Sequence, residues 1–548
     1  MRQVGLLQLG VLVISTTLMH TAPAAASGEA LDGRWIGGFA NRNTVVVLDA
    51  KFASTPALSG TLDVPQRGES GIPLRNVSQH GRSMTFVVPG VDGNLLFEGM
   101  FVTPTQVVGS VRQGLGHSSF ELIKLSAVGR EDLAGIYGTF EWAPGKVLLV
   151  APGQEQPVYV DYESGRTGAL FALGRDEFVA GPSVSTGFPV MVRLRMVRDA
   201  SNRVQRVNLE RKGKTVQALR KDFYSEVAVR YGHDDVSISG SLLLPSSPGP
   251  HPAIVMIHGS GAVTRDALRP FADHFARNGV AVLITDKRGT GLSTGRWARA
   301  TFDDLAEDAL AGVRYLRSRP EIQANAIGVH GMSLGGWVAP LAAVKSDDVA
   351  FVVVESAPVM TPLEHERLRV ETTMRADGHR GETIAQAVAF MDQKFTVART
   401  GDGWGRLESA MQDGEKAGWL PYVNAPASLE SLQWNWDHVF SYDPLPVLKQ
   451  LDVPMLVLYG ELDSVVPPKV HKARMEQAVR EMGKQQVTIR EFARANHGFF
   501  EAITGGRQEQ PNLGSFVAGY FQVRTDWVLA RAQQAQAQAH LASAELQE

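Results

Sequence analysis

Two stretches of the chain hold a serine between glycines in the pattern G-x-S-x-G: Gly331 to Gly335 around Ser333 in "GVHGMSLGGWVAP", and Gly291 to Gly295 around Ser293 in "GLSTG". A serine hydroxyl is a weak nucleophile on its own. With a histidine to take its proton and a carboxylate to orient that histidine, it attacks carbonyl carbon and transfers an acyl group. The pattern alone carries little weight in a chain with 55 glycines among 548 residues, so the elements around each serine must decide between them.

A nucleophile elbow needs a strand running straight into the turn, the serine at its tip, and a helix starting at once. The flanking glycines are required because side chains there would clash. "AIGVHG" predicts a strand from Ala326 to His330 that abuts Gly331, and "LGGWVAPLAAVK" predicts a helix from Leu334. Around Ser293, "KRGTG" separates the preceding strand from the motif and "RWARATF" follows before any helix. That is the pattern of a Gly-rich surface loop, so Ser333 is the candidate nucleophile.

The elbow belongs to a longer rhythm. "HPAIVMIHGSG" and "GVAVLITDKRG" are apolar runs ending in Gly, and "LRPFADHFARNG" between them has helical spacing. "FDDLAEDALAGVRYLRSRP", "VAFVVVESAP", "VPMLVLYGELD", Pro468 to Met482, "QVTIREFA" and a last helix continue the alternation. Strands apolar on both faces alternating with helices predict a parallel sheet covered on both sides. From Met360 to about Leu445 the alternation stops, and charged helical sequence carrying Trp404, Trp419, Trp434 and Trp436 takes its place. This reads as a helical cap inserted between strands, its tryptophans forming either the cap's own core or the wall of an acyl pocket.

In an open parallel sheet, ligands and catalytic groups gather at the carboxyl ends of strands. Asp463 stands just past "MLVLYG", and His497 stands in "ANHGFF" after "TIREF", which makes them the candidate acid and base. Asp463 has a second possible task, capping the helix near Pro467. Glu355, after "VAFVVV", is the rival acid, and His330 is expected to be packed within its strand. An oxyanion hole needs backbone N–H donors. Leu334 is expected to supply one and Ser260, in the turn "HGSG", the other, with Gly259 or Gly261 as fallback. His258 has no partners at metal-ligand spacing, and neither a metal nor a cofactor is expected.

Upstream of Phe223 the chain is different. From Leu31 to about Lys124, and again from Leu133 to Arg220, short apolar runs lie between Gly, Pro and Asn, which predicts antiparallel barrels or sandwiches. The two halves open alike, Leu31, Gly33 and Trp35 matching Leu133, Gly135 and Tyr137, through duplication or the common needs of a first strand. Arg2 followed by an apolar run and "HTAPAAAS" predicts a cleaved signal peptide over residues 1–26. The run is shorter than the roughly 20 residues of a membrane span. The expected divisions are therefore a β domain at 27–127, a second β segment at 128–220 and a catalytic domain at 221–548 with its cap at 360–445.

"HGSG", "DKRGTGLSTG", "IGVHGMSLGG", "GELDSVVP" and "NHGFF" resemble the α/β-hydrolase superfamily. Within it the chain is most similar to bacterial carboxylesterases and serine-aminopeptidase-like hydrolases with an extra N-terminal β domain. The resemblance covers about residues 224–530 strongly and the β region more loosely, through "GRWIGGF" and "SGTLDVPQRG". It implies Ser333 as nucleophile, Asp463 as acid, His497 as base, and the turn Asp286 to Gly291 as a structural loop beside the site. Met332 departs from the histidine that many relatives have there, and the insertion matches nothing recognisable.

A net charge of −3 excludes the electrostatic footprint of a nucleic-acid or anionic-membrane binder, and the absence of cysteine excludes disulfides, thiolate metal sites and cysteine-linked lipid anchors. The expected function is hydrolysis of carboxylic esters with small to medium acyl chains. The expected partner is a small-molecule ester, the expected location periplasmic or secreted, and no oligomeric state is implied. One alternative is an exported aminopeptidase, which needs an anionic patch for the substrate ammonium; Glu364, Glu366, Glu371 and Asp377 are spaced like a solvated helix face. Another is a glycan- or peptidoglycan-binding protein with an inert hydrolase fold.

Overall fold

Alternating apolar and polar residues make sheets with one buried face, and the N-terminal part of the computed structural model contains two of them. It describes residues 31–545 apart from 42, 43, 91, 92, 154, 484 and 485, so the expected signal peptide lies outside the described residues. The first sheet runs from Gly33–Asn41 to Gly116–Lys124 and the second from Gly138–Ala143 to Lys214–Arg220. Strand Leu95–Thr103 shows the principle: Phe97 and Phe101 turn inward while Glu98 and Met100 face solvent. Its inward rings join Trp35, Phe86 and Phe120, with Phe86 and Phe97 stacked at 4.5 Å.

Each sheet has nine antiparallel strands among the described residues, and counted from its own start each has the order 4-3-2-1-9-8-7-6-5. Each also curls in the same way. Its fourth and fifth strands, which stand at opposite edges of the sheet, are joined through a single residue, Leu74 in the first sheet and Leu170 in the second. The needs of a first strand do not reach that far, whereas duplication of one barrel-like unit explains both the order and the closure.

The catalytic part is one eight-stranded sheet: β1 (Tyr224–His233), β2 (Val236–Pro245), β3 (His251–Ile257), β4 (Ala281–Thr285), β5 (Ile322–Met332), β6 (Phe351–Glu355), β7 (Met455–Gly460) and β8 (Val487–Phe492). Their order is β1-β2-β4-β3-β5-β6-β7-β8. β1 and β2 pair antiparallel at one edge, and β3 to β8 are parallel. Alternate residues of the central strands feed two cores. Val352 and Val354 of β6 enter one with Val457 and Tyr459 of β7, and Phe351 and Val353 enter the other with Leu456 and Leu458. The second core also takes Leu149, Ala151 and Val160 from the second β unit, so that unit is packed onto the catalytic sheet. Tyr162 Oη donates across the same junction to Pro270 O at 2.7 Å.

Between β6 and β7 lies the cap, whose main helices are Pro362–Ala376, Gly381–Thr400, Trp404–Lys416 and Leu429–Asn435. It has a core of its own around Val370, Phe390, Phe395 and Leu432. Trp419 is buried there, and Trp404 and Trp436 pack against it. Trp434 instead stacks on His438 and lies beneath the Arg299 guanidinium. Most of the cap's indoles therefore hold the cap together. Among the described residues no helix is long and apolar enough to cross a membrane.

Candidate active site

β5 extends to Met332 and the helix Gly335–Lys345 starts three residues later, so Ser333 occupies the tip of an abrupt strand-to-helix turn. Its φ is +57°, in the left-handed region that residues with a Cβ seldom adopt. Such a conformation persists where the surroundings impose it, and the surroundings here are visible. Ser333 N–H donates to Glu355 O at 2.9 Å, and Gly336 N–H donates back to Ser333 O at 2.8 Å. A Cβ on Gly331 would lie 2.0 Å from Gly335 O, which is why the turn admits no side chain there.

Asp463 follows β7 and is buried. One carboxylate oxygen accepts from the N–H groups of Val465 and Val466 at 2.8 and 2.7 Å, and the other lies 2.9 Å from His497 Nδ1. Turn capping and imidazole orientation are thus done by one side chain. Facing a carboxylate oxygen, Nδ1 is the donor of this bond, and in a neutral imidazole that arrangement makes Nε2 the acceptor. His497 sits in the loop after β8, and that loop is shaped by Asn496, whose Oδ1 accepts from Gly498 N–H and Phe500 N–H, each at 3.0 Å. Ser356 Oγ donates to His497 O at 3.1 Å. The end of β6 therefore anchors both loops: Glu355 O holds the backbone of Ser333, and Ser356 holds the backbone of His497. No spacing in the sequence pointed to Ser356.

Glu355, the rival acid, faces the other core. Its carboxylate accepts from Tyr520 Oη at 2.6 Å and Arg524 Nη1 at 3.2 Å, and His330 Nε2 lies 3.0 Å away. Burial pushes that carboxyl up, but Arg524, His330 and Tyr520 together bring it down to about 2. His330 is packed within β5 as expected.

The turn after β3 approaches the elbow. A Cβ placed on Gly259 would be 3.6 Å from Ser333 Cβ, so its backbone reaches contact distance of the serine, and Ser260 follows it on the exposed side. Leu334 directly precedes the first turn of its helix, where N–H groups lack intrahelical partners. His258 begins the turn as a buried ring whose Nε2 donates to Thr285 O at 2.6 Å, and burial pulls it down to about 4. Above lies the cap helix Pro362–Ala376, which contributes His365, packed edge-on to Trp337 and His471 at 5.5 and 5.4 Å. Burial lowers His365 to about 4 and His471 to about 3, so both imidazoles stay neutral near pH 7.

The four cap acids Glu364, Glu366, Glu371 and Asp377 are all engaged. Glu364 closes the capping box of its helix with Thr361, and Glu366 accepts from Arg369 and Asn424. Glu371 pairs with Arg375, and Asp377 accepts from Tyr422 Oη and Gln508 N–H.

Residues 254–502 match the alpha/beta hydrolase family. Three relatives illustrate the range. The quorum-quenching protein AidA of Acinetobacter baumannii is 34% identical over 132 residues, 24% of this chain and 43% of that protein. Esterase EstD of Thermotoga maritima is 24% identical over 271 residues, 47% of this chain and 57% of that protein. The bifunctional esterase/perhydrolase DCH of Acinetobacter calcoaceticus is 26% identical over 243 residues, 42% of this chain and 82% of that protein. The chain thus spans about half the length of the first two. With the sheet order, the elbow and the family match in agreement, the C-terminal part of this chain is an α/β-hydrolase domain.

Proposed function

We propose that the protein hydrolyses carboxylic esters of small to medium acyl chain through an acyl-enzyme on Ser333. The observation that carries this reading is the pair of loops held by the end of β6, one presenting Ser333 at a strained elbow and the other presenting His497 against the buried Asp463. His497 Nε2 takes the hydroxyl proton as Ser333 Oγ adds to the carbonyl carbon. The carbonyl oxygen becomes an anion held by the N–H groups of Ser260 and Leu334. His497 then gives its proton to the departing alkoxide, and a water molecule repeats the cycle on the acyl-enzyme to release the acid.

An ester is favoured over an N-terminal peptide by the cap chemistry. Glu364, Glu366, Glu371 and Asp377 are already bonded within the cap or to its neighbours, which leaves none of these four as the anionic partner of a substrate ammonium. The test is a panel of p-nitrophenyl acyl esters and aminoacyl p-nitroanilides on the purified protein, with fluorophosphonate labelling of Ser333. Turnover of esters with labelling at Ser333 is expected. Anilide turnover above ester turnover would move the reading to the aminopeptidase, and labelling of no serine would favour the inert binding protein. Export to the periplasm is proposed on residues 1–26 of the sequence, and N-terminal sequencing of the mature protein would test it.

A further inference from the structure

Lysine is seldom buried without a carboxylate to pair with, because taking an ammonium out of water costs several kcal/mol that only a close partner offsets. Lys287, in the turn after β4, is 5% exposed, and among the described residues it makes no ion pair. Its Nζ donates instead to two backbone carbonyls, Gly259 O at 3.0 Å and Gly261 O at 3.2 Å, and the ammonium stands 5.9 Å from the centre of the Trp297 ring. Both carbonyls belong to the "HGSG" turn that approaches Ser333.

The direction of those bonds matters. In a planar trans peptide the C=O and N–H point opposite ways. Gly259 C=O and Ser260 N–H are one peptide group, so an ammonium holding the carbonyl from one side aims the N–H to the other. Gly261 C=O fixes the next turn of the loop in the same way, at a glycine whose φ of +86° has no Cβ contacts to hold it. We propose that Lys287 is a positioning residue for the oxyanion hole, which clamps the Gly259–Ser260 peptide so that its N–H faces the substrate oxygen and polarises that N–H through the peptide. The inference rests on the acyl-transfer reading above. Hydrogen bonds in such a chain strengthen one another, so negative charge developing on the substrate oxygen is felt by the ammonium through the peptide. The charge that Lys287 lacks as a partner in the resting protein is the charge that the reaction creates.

The rest of the turn shows that the lysine is aimed and not merely enclosed. Lys287 N–H donates to Val263 O at 3.1 Å, and Thr290 Oγ1 donates to the same carbonyl at 2.9 Å. Arg265 is held on Asp286 by its backbone N–H and its guanidinium. With the two loops already joined by these bonds, removing the lysine head group leaves their backbones connected and takes away the two contacts on the glycine carbonyls.

The experiment compares wild type, Lys287→Met and Lys287→Gln with a p-nitrophenyl ester, a trifluoromethyl ketone of matching chain, and the corresponding methyl ketone. Ser333 adds to the trifluoromethyl ketone and creates an oxyanion, whereas the methyl ketone reports ground-state binding. Removing an oxyanion donor costs about a hundredfold or more in kcat, and a donor left in place but unclamped should cost about tenfold. Lys287→Met is expected to lose kcat/KM and trifluoromethyl ketone affinity by the same factor while methyl ketone affinity and KM stay close to wild type. Lys287→Gln, which keeps an N–H but not the charge, is expected to lose less of both, and it decides the matter if the methionine variant does not fold. Wild-type kcat/KM in a folded variant overturns the inference, and so does an equal weakening of both ketones. Fluorophosphonate labelling separates the two levels: labelled and active wild type with an unaffected Lys287 variant sinks the positioning role alone, whereas wild type that neither labels nor turns over esters sinks the acyl-transfer reading and this inference with it.

Discussion

Ser333 and Ser293 share the pattern G-x-S-x-G and differ in everything that surrounds it. Ser333 sits at φ +57° between a strand and a helix, and the glycines beside it let the helix come within backbone contact of the strand. Ser293 is buried in the loop after β4, with its hydroxyl donating to Asp286 O at 2.7 Å and accepting from Ser239 N–H at 2.9 Å. A Cβ on Gly291 would lie 2.4 Å from the Asp286 carboxylate, so the glycine there lets the chain wrap a buried anion. A hydroxyl whose one proton is committed to a carbonyl has none to give a general base. The same five-residue pattern thus marks a presented serine in one place and a serine bonded into the framework in the other, and the element that follows makes the difference.

The largest effect that would break this comparison is at Ser333 itself. Ser333→Ala should lower kcat by about a millionfold, as loss of a triad serine does elsewhere; ester turnover close to wild type would remove it as nucleophile. Asp463→Asn should leave the loop in place but lose the tautomer that His497 needs, lowering kcat by about ten-thousandfold. That comparison requires the initial-rate assay and a thermal melt on the same sample, because Asp463 also accepts two backbone N–H groups.

Two smaller effects sharpen it. Glu355→Gln removes the partner of a fully buried Arg524, and breaking such a pair costs about 3 kcal/mol or more. Because the elbow is held by the Glu355 backbone oxygen and not by its carboxylate, denaturant unfolding should report that loss while kcat stays within about tenfold of wild type. A loss like that of Asp463→Asn would restore Glu355 as the acid. Ser293→Ala leaves a buried N–H and a buried carbonyl without this partner, for about 1–3 kcal/mol, and should retain most of the esterase activity. Comparable loss of activity with an intact fold would erase the distinction between the two serines.

The other pairing in the molecule, the two β units, shows how far a sequence match can be trusted. Leu31, Gly33 and Trp35 against Leu133, Gly135 and Tyr137 is a short correspondence. The strand order and the one-residue links at Leu74 and Leu170, which join the two edge strands of each sheet, extend it over both units. The last helix gives the opposite lesson. Phe516, Tyr520, Val523 and Trp527 have helical spacing, yet the helix starts at Tyr520 and Phe516 bridges to Phe500, because Gly519 at φ +77° turns the chain first.

Local chemistry in the chain determined the parallel sheet, the elbow and the strand-end positions of Asp463 and His497, because each depends on residues within one strand, one turn and one helix. Periodicity and glycine placement report such neighbourhoods directly. Tertiary packing alone decided the rest. It turned Glu355 toward Tyr520 and Arg524, 165 and 169 residues away along the chain, instead of toward His497. It gathered three of the cap's tryptophans into or against the cap's own core. It also brought the Lys287 ammonium onto carbonyls 28 and 26 residues earlier. These contacts join side chains to groups distant in sequence, and their direction is set by how the layers pack, which no local pattern encodes.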